Sequence, residues 1–559
     1  MGYKTDIEIA QAAEKRPIAD IAASLGLAPG EWEPWGWDKA KLSLSLLTSR
    51  PPRPGAKLIL VTAVSPTAAG EGKTTVSVGL ADAFARLGKR TVLAIREPSL
   101  GPVFGVKGGA AGGGYAQVVP MEALNLHFTG DLHAVTAANN LLAALIDNHL
   151  QQGNALGLDP RRVTWRRCQD VNDRALRHVT VGLRGPANGV PREDGFDITA
   201  ASEIMATLCL AGDLPDLKAR LRRLVVGRSY EGGLITCGDL KAEGALAVLL
   251  ADAVKPNLVQ TLAHTPVLVH GGPFANIAHG CNSVIATRMA LGLGDVVVTE
   301  AGFGADLGAE KFIDIKCRQA GLVPSACVVV VTLRALKHHG GAARGACDRP
   351  DAAALARGLP NLLAHVENVT DRYGLPAVVA LNRFPADTDE EIAWLQAACE
   401  GRGFSVVPAD VWARGGAGGE ALAERVLAAT EAGASGFRFV YPDEDSLVQK
   451  IETLVQKVYG GDGIEIETSA RRALDRLEAE GYGRLPVCVA KTQYSLSDDP
   501  KRLGRPTGFH VKVTGVKLSA GAGFVVVYTG EIMTMPGLPK RPAAEDIDVG
   551  PDGVISGLF

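Results

Sequence analysis

The segment Thr67-Ala68-Ala69-Gly70-Glu71-Gly72-Lys73-Thr74-Thr75 constrains this chain more than any other, because it reads as a loop that cradles phosphate. It follows an apolar run over 58–64 that suits a buried parallel strand. It precedes 76–87, where Val78, Leu80, Ala81, Phe84 and Leu87 recur on one helical face. Glycines let backbone N–H groups turn inward, and the helix N-terminus adds its positive end toward an anion. Lys73 is expected to reach the β/γ-phosphates, and the Thr74 hydroxyl to ligate Mg²⁺. One position departs from the usual G-x-x-x-x-G-K-[ST] pattern: Thr67 stands where the first glycine belongs. The alternative, a flexible strand–helix turn, is disfavoured by the strand–loop–helix context. A nucleoside triphosphate with Mg²⁺, held by residues 67–75, is the ligand to expect.

A chain of 559 residues exceeds one ordinary core, so two to four domains are expected. Lys plus Arg total 58 against 61 Asp plus Glu, which leaves no basic field to attract nucleic acid. The nine cysteines are scattered without a C-x-x-C pair, so neither a zinc ribbon nor a disulfide framework is supported. The first residues lack a signal-peptide core, and no run reaches the roughly 18 apolar residues of a membrane span. A cytoplasmic protein is expected, with no membrane partner.

Residues 6–27 suggest a pair of amphipathic helices. Strand-like runs follow at 91–95, 179–183, 224–226, 266–270, 296–300, 327–332 and 377–381, separated by helix-length segments. That alternation predicts an α/β fold, P-loop NTPase-like, with a mostly parallel sheet and helices on both faces. Ligands then gather at the carboxyl edge of the strands. The pattern restarts near 361 and again near 456. The expected division is a nucleotide-binding α/β domain over 1–360, a second α/β domain over 361–455 and an α+β domain over 456–559.

Arg96 stands at a predicted strand end, on the edge expected for Lys73. A guanidinium there suits a transferring phosphoryl group or an acyl phosphate; an ion pair with Glu97 is the alternative. Residues 107–115 carry five glycines in nine residues, as a lid or close-approach surface for a ligand does. Asp131 is a candidate for a substrate amine or, equally in keeping with its place, a helix cap. His127, His133, His338 and His339 lack metal-ligand spacing and read as polar contacts. The loop 271–280 is a further candidate to offer backbone amides to an anion. Phe384 and Trp412, in a chain with only 5% aromatics, each neighbour loop-forming residues. They are either stacking plates for a flat ring or packing residues.

Taken in order, these segments resemble formate–tetrahydrofolate ligases. The resemblance runs from Asp6-Ile7-Glu8-Ile9-Ala10 through 69–75, 96–102, 107–115, 271–283, 299–308 and Asn382-Arg383-Phe384-Pro385 to Lys491-Thr492-Gln493-Tyr494-Ser495-Leu496. Ala68, Trp35 and Gly416-Ala417-Gly418 depart from the usual family residues. The resemblance implies ATP, formate and tetrahydrofolate as substrates, with ADP, phosphate and 10-formyltetrahydrofolate as products through formyl phosphate. It implies Mg²⁺, a monovalent activator (K⁺ or NH₄⁺) and a homotetramer. It further implies that Lys73 and Arg96 serve phosphoryl transfer, that Phe384 and Trp412 in the 361–455 unit sandwich the pterin, and that Asp131 serves the folate side. The main competitor is a regulatory P-loop ATPase of the partitioning or metal-insertion type. Those proteins carry an extra lysine where this chain has Ala68.

Overall fold

The computed structural model describes residues 4–106, 111–431, 436–530 and 532–558, apart from the side chain of Arg344. Among the described residues, twelve strands join in one sheet. Its centre is parallel: β1 (Lys57–Ala63), β2 (Thr91–Ile95), β3 (Pro266–Val269), β4 (Val296–Glu300), β5 (Ala326–Val331), β6 (Ala377–Asn382) and β7 (Val406–Ala409) lie in the order β3-β2-β4-β1-β5-β6-β7. Asn257–Thr261 adds an antiparallel strand beside β3.

The Val- and Leu-rich composition of these strands follows from burial on both faces. Leu58, Leu60, Val92 and Ala94 share one core with the helices Val284–Leu293 and Ala352–Glu367. Ile59, Val61, Leu93 and Ile95 alternate to the opposite face, against helix α1 (Lys73–Arg86) and the helix Glu420–Glu431. Truncating the fully buried Phe84 of α1 to Ala costs about 3–5 kcal/mol.

The helix pair expected over 6–27 is present as Asp6–Gln11 and Ile18–Ser24. Two expected strands stand outside the parallel sheet. Residues Val179–Val181 pair antiparallel with Arg192–Asp194, and Val225–Ser229 lies in a small antiparallel sheet. The first of these is only half-covered, so it could not serve as a strand buried on both faces. The segment 361–455 contributes the last two strands of the main sheet, β6 and the edge strand β7. Beyond 456, Gly463–Ile466 pairs with His510–Val513, and Val487–Ala490, Gly515–Ser519 and Phe524–Tyr528 form a three-stranded sheet. All nine cysteines are buried and unbridged. Among the described residues, no helix is long and apolar enough to cross a membrane.

Candidate functional site

The carboxyl ends of the parallel strands converge on one rim. β1 runs into the 64–72 loop, β2 into Arg96, β4 ends on Glu300, β5 precedes Thr332, and β6 ends on Asn382. Gly70 and Gly72 have φ of +76° and +70°, a region that favours glycine. A Cβ on Gly72 would also stand 2.3 Å from the Asn382 amide nitrogen. Gly72 caps α1 without a side-chain bond, so the first-turn N–H groups are left to face an anion.

Neighbouring strands hold this loop in shape. The Glu71 carboxylate accepts from the Thr67 N–H (2.8 Å) and from the Thr332 hydroxyl (2.5 Å). Asn382 donates to the Glu71 carbonyl at 3.1 Å. Thr67, the departure from the glycine pattern, thus turns its amide toward Glu71, and its hydroxyl accepts from the Ala69 N–H at 3.3 Å. The Thr74 hydroxyl donates to Glu300 at 3.0 Å. Burial pushes the Lys73 ammonium below its usual pKa, with Glu300 and Glu71 opposing the shift and Arg96 adding to it. Lys73, Arg96, Glu71 and Glu300 therefore form one electrostatic group.

Arg96 donates to the Pro273 carbonyl at 3.2 Å, and its Nε has no hydrogen-bond partner among the described residues. The alternative pairing with Glu97 does not form. Glu97 is buried apart, where burial first and then the nearby Asp131 push its carboxyl well above the usual range. Asp131 opens the helix Asp131–Gln151, pairs with Lys41 at 2.5 Å and accepts from Asn257 at 2.8 Å. In the 271–280 loop the Gly271 carbonyl accepts from the Glu97 N–H, and the N–H groups of Phe274 and Ala278 donate to the carbonyls of Ala200 and Phe274.

A cavity of about 1110 Å³ opens at this rim. It is lined by 66–73 and Thr75, by Gly112 and Gly113, and by Phe384 and Trp412. The loop expected to cradle phosphate and the two expected ring plates thus share one space; Asp131 is not among its lining residues. The Phe384 ring lies 3.8 Å beneath the Arg334 guanidinium. The Trp412 carbonyl accepts from the Tyr115 N–H at 2.8 Å. The described end of the glycine-rich segment packs on this tryptophan, and a Cβ on Gly114 would fall 2.1 Å from the Trp412 oxygen. Residues 107–110 of that segment lie outside the described residues.

Reading the sequence alone missed Glu300, Asn382 and Arg334 as site residues. The first two occur inside motifs already singled out, and their position at strand ends is the signal that could have found them. His127 and His133 pair at 2.7 Å, and His339 reaches the Ser65 carbonyl at 2.8 Å. Among the described residues no group of three His, Cys, Asp or Glu side chains could hold a metal. A divalent ion here would arrive with phosphate oxygens, and the Thr74 hydroxyl beside the Glu300 carboxylate suits it.

Comparison with known proteins agrees with this geometry. A protein of Symbiobacterium thermophilum named formate–tetrahydrofolate ligase is 62% identical over 555 residues, covering 99% of this chain and 100% of that protein. The family profile for formate–tetrahydrofolate ligase matches residues 4–559, and the chain belongs to that family.

Proposed function

We propose that the protein joins formate to tetrahydrofolate at the expense of ATP, through formyl phosphate. The observation that carries this reading is the single cavity in which a phosphate loop faces a pair of aromatic plates. A P-loop NTPase-like nucleotide site suits the loop geometry, with residues 67–75 around the phosphates. Bound with the nucleotide, Mg²⁺ neutralises phosphate charge, and Thr74 and Glu300 are the residues to hold it.

Formate is a poor electrophile. One of its oxygens attacks the γ-phosphorus and ADP leaves, while Lys73 and Arg96 supply positive charge to the transferring group. The folate amine then attacks the formyl carbon, and the carbon–oxygen bond to phosphate breaks. Phe384 and Trp412 hold the pterin for that second step. Asp131 serves the folate side from behind the rim. A homotetramer activated by K⁺ or NH₄⁺ accompanies this reading, as does a cytoplasmic location. The second reading, a regulatory ATPase, has no use for the ring plates. ADP release measured with each substrate omitted in turn tests the choice. Sustained release should require formate and tetrahydrofolate together; steady release without either contradicts the ligase.

A further inference from the structure

Ser65 stands between β1 and the glycine turn, two residues before Thr67, and is fully buried. Three side chains hold it. Asn361 donates to its hydroxyl at 3.1 Å, His365 Nε2 lies 3.0 Å from the same oxygen, and His339 Nε2 donates to its carbonyl at 2.8 Å. Gly504 completes the frame: its N–H donates to His339 Nδ1 at 3.3 Å, and its carbonyl accepts from Asn361 at 2.8 Å.

The other ring nitrogen of His365 faces the Asp306 carboxylate at 3.9 Å, and Asp306 pairs with the Lys491 ammonium at 2.7 Å. Lys491 in turn donates to the carbonyls of Thr492 (3.1 Å) and Ser495 (2.6 Å). It thereby gathers the turn that brings Gln493 and Tyr494 to the cavity wall. Ser65, His365, Asp306 and Lys491 are all fully buried, and none lines the cavity. A hidden polar chain therefore runs from the entrance of the glycine loop to the 491–496 turn. Gly304 leaves room for it: a Cβ there would stand 2.7 Å from the Asp306 carboxylate and 3.0 Å from the His365 ring.

Burial pushes the His365 pKa down to about 4, with the nearby Asp306 opposing the shift, so the ring is neutral at neutral pH. The Asp306 charge favours a proton on Nδ1, which leaves Nε2 to accept from the Ser65 hydroxyl. Serine, histidine and aspartate are also the members of an acyl-transfer triad. Here the serine is sealed away from the cavity, so its hydroxyl is a brace and not a nucleophile.

We propose that Ser65, His365 and Asp306 are positioning residues for phosphoryl transfer, fixing the phosphate loop against the 491–496 turn so that two walls of one cavity keep a single spacing. The proposal rests on the ligase reading. Glu71 and Asn382 shape the loop by themselves, so nucleotide binding should survive loss of the chain. Alignment for transfer should not, because small displacements of reacting groups are costly in rate.

The test is steady-state turnover with all three substrates, alongside thermal melting. His365→Leu keeps side-chain bulk and helix propensity but strands Ser65 and Asp306. Its kcat should fall about ten-fold with the ATP KM within about two-fold of wild type. His365→Gln can again meet the Ser65 hydroxyl and should recover most of that loss. The sharper arm pairs Ser65→Ala, which removes one atom, with Asp306→Asn. Each should lower kcat about three- to ten-fold, and the double variant should be no worse than the poorer single, because His365 joins the two. Losses that multiply in the double variant would mark two independent sites and overturn the proposal. So would a lowered melting temperature with kcat intact, or a defect confined to the ATP KM. A wild-type protein whose turnover ignores formate and tetrahydrofolate breaks the ligase reading instead, before any variant is made.

Discussion

The two sides of the cavity are built differently. On the phosphate side the loop is braced from neighbouring strands: Glu71 by Thr67 and Thr332, the Glu71 carbonyl by Asn382, Thr74 by Glu300. On the ring side Phe384 comes from the loop after β6 and Trp412 from the short helix Val411–Arg414 after β7, and their neighbours are an arginine face and a glycine backbone. Stabilising moving charge needs dipoles fixed in advance, so small displacements there are costly. Holding a flat ring needs area and a gap of the right width, which tolerates more. Substitutions on the phosphate side should therefore act mainly on turnover, and those on the ring side mainly on folate affinity.

Lys73→Ala should break the comparison most severely. Turnover should fall on the order of a thousand-fold, since the charge on the β/γ-phosphates is lost. Stability should move the other way. The folded-state pKa of Lys73 lies below its unfolded value, so keeping the group charged at neutral pH costs the folded state free energy. The melting temperature of the variant should match or exceed that of the wild type. Near-normal turnover would remove the phosphate-loop assignment.

Arg96→Ala should lower turnover about a hundred-fold while ATP affinity holds, because in the proposed mechanism its guanidinium serves the transferring group rather than the bound nucleotide. A defect seen only in ATP affinity would make Arg96 a ground-state contact.

Much of the phosphate side was legible in the sequence, because its parts are local. A strand, a glycine turn, Lys73 and the helix after it follow one another in the chain. Arg96 was placed by the same reasoning about strand ends. The braces were not legible: Asn382 meets Glu71 across 311 positions and Glu300 meets Thr74 across 226, and only the order of strands in the sheet brings them together. Strand order is set by packing of whole elements, which no local pattern encodes. For the same reason the runs 179–183 and 224–226 read as members of the main sheet, although Val179–Val181 and Val225–Ser229 pair elsewhere. Asp131 is the same case: expected as a helix cap, it is instead the first helical residue after Gly130, and its carboxylate pairs with Lys41, 90 positions away.

Gly113→Val sharpens the boundary between the two sides. Its Cβ stands 3.1 Å from the Asp6 carboxylate and 3.5 Å from both the Trp412 ring and the Thr75 hydroxyl. The branched side chain should narrow the gap and lower kcat/KM for tetrahydrofolate about ten-fold, with thermal stability nearly kept. Normal kinetics with a lower melting temperature would make the segment purely structural.

The smallest effects belong to the rings. Phe384→Ala or Trp412→Ala should raise the tetrahydrofolate KM about two- to ten-fold, the scale of a stacked aromatic contact. The double variant should be less than additive, since both rings serve one ligand. Formyl phosphate formation should be largely spared. Unchanged KM in both single variants would show these side chains to be packing residues.

The central claim is that formate is phosphorylated at the Lys73–Arg96 rim before the folate amine attacks. Turnover with [¹⁸O]formate, followed by mass analysis of the released phosphate, tests this most directly. Each turnover should leave one formate oxygen in phosphate, because the oxygen that attacks phosphorus stays with it when the carbon–oxygen bond breaks. Product formed alongside label-free phosphate would contradict the account.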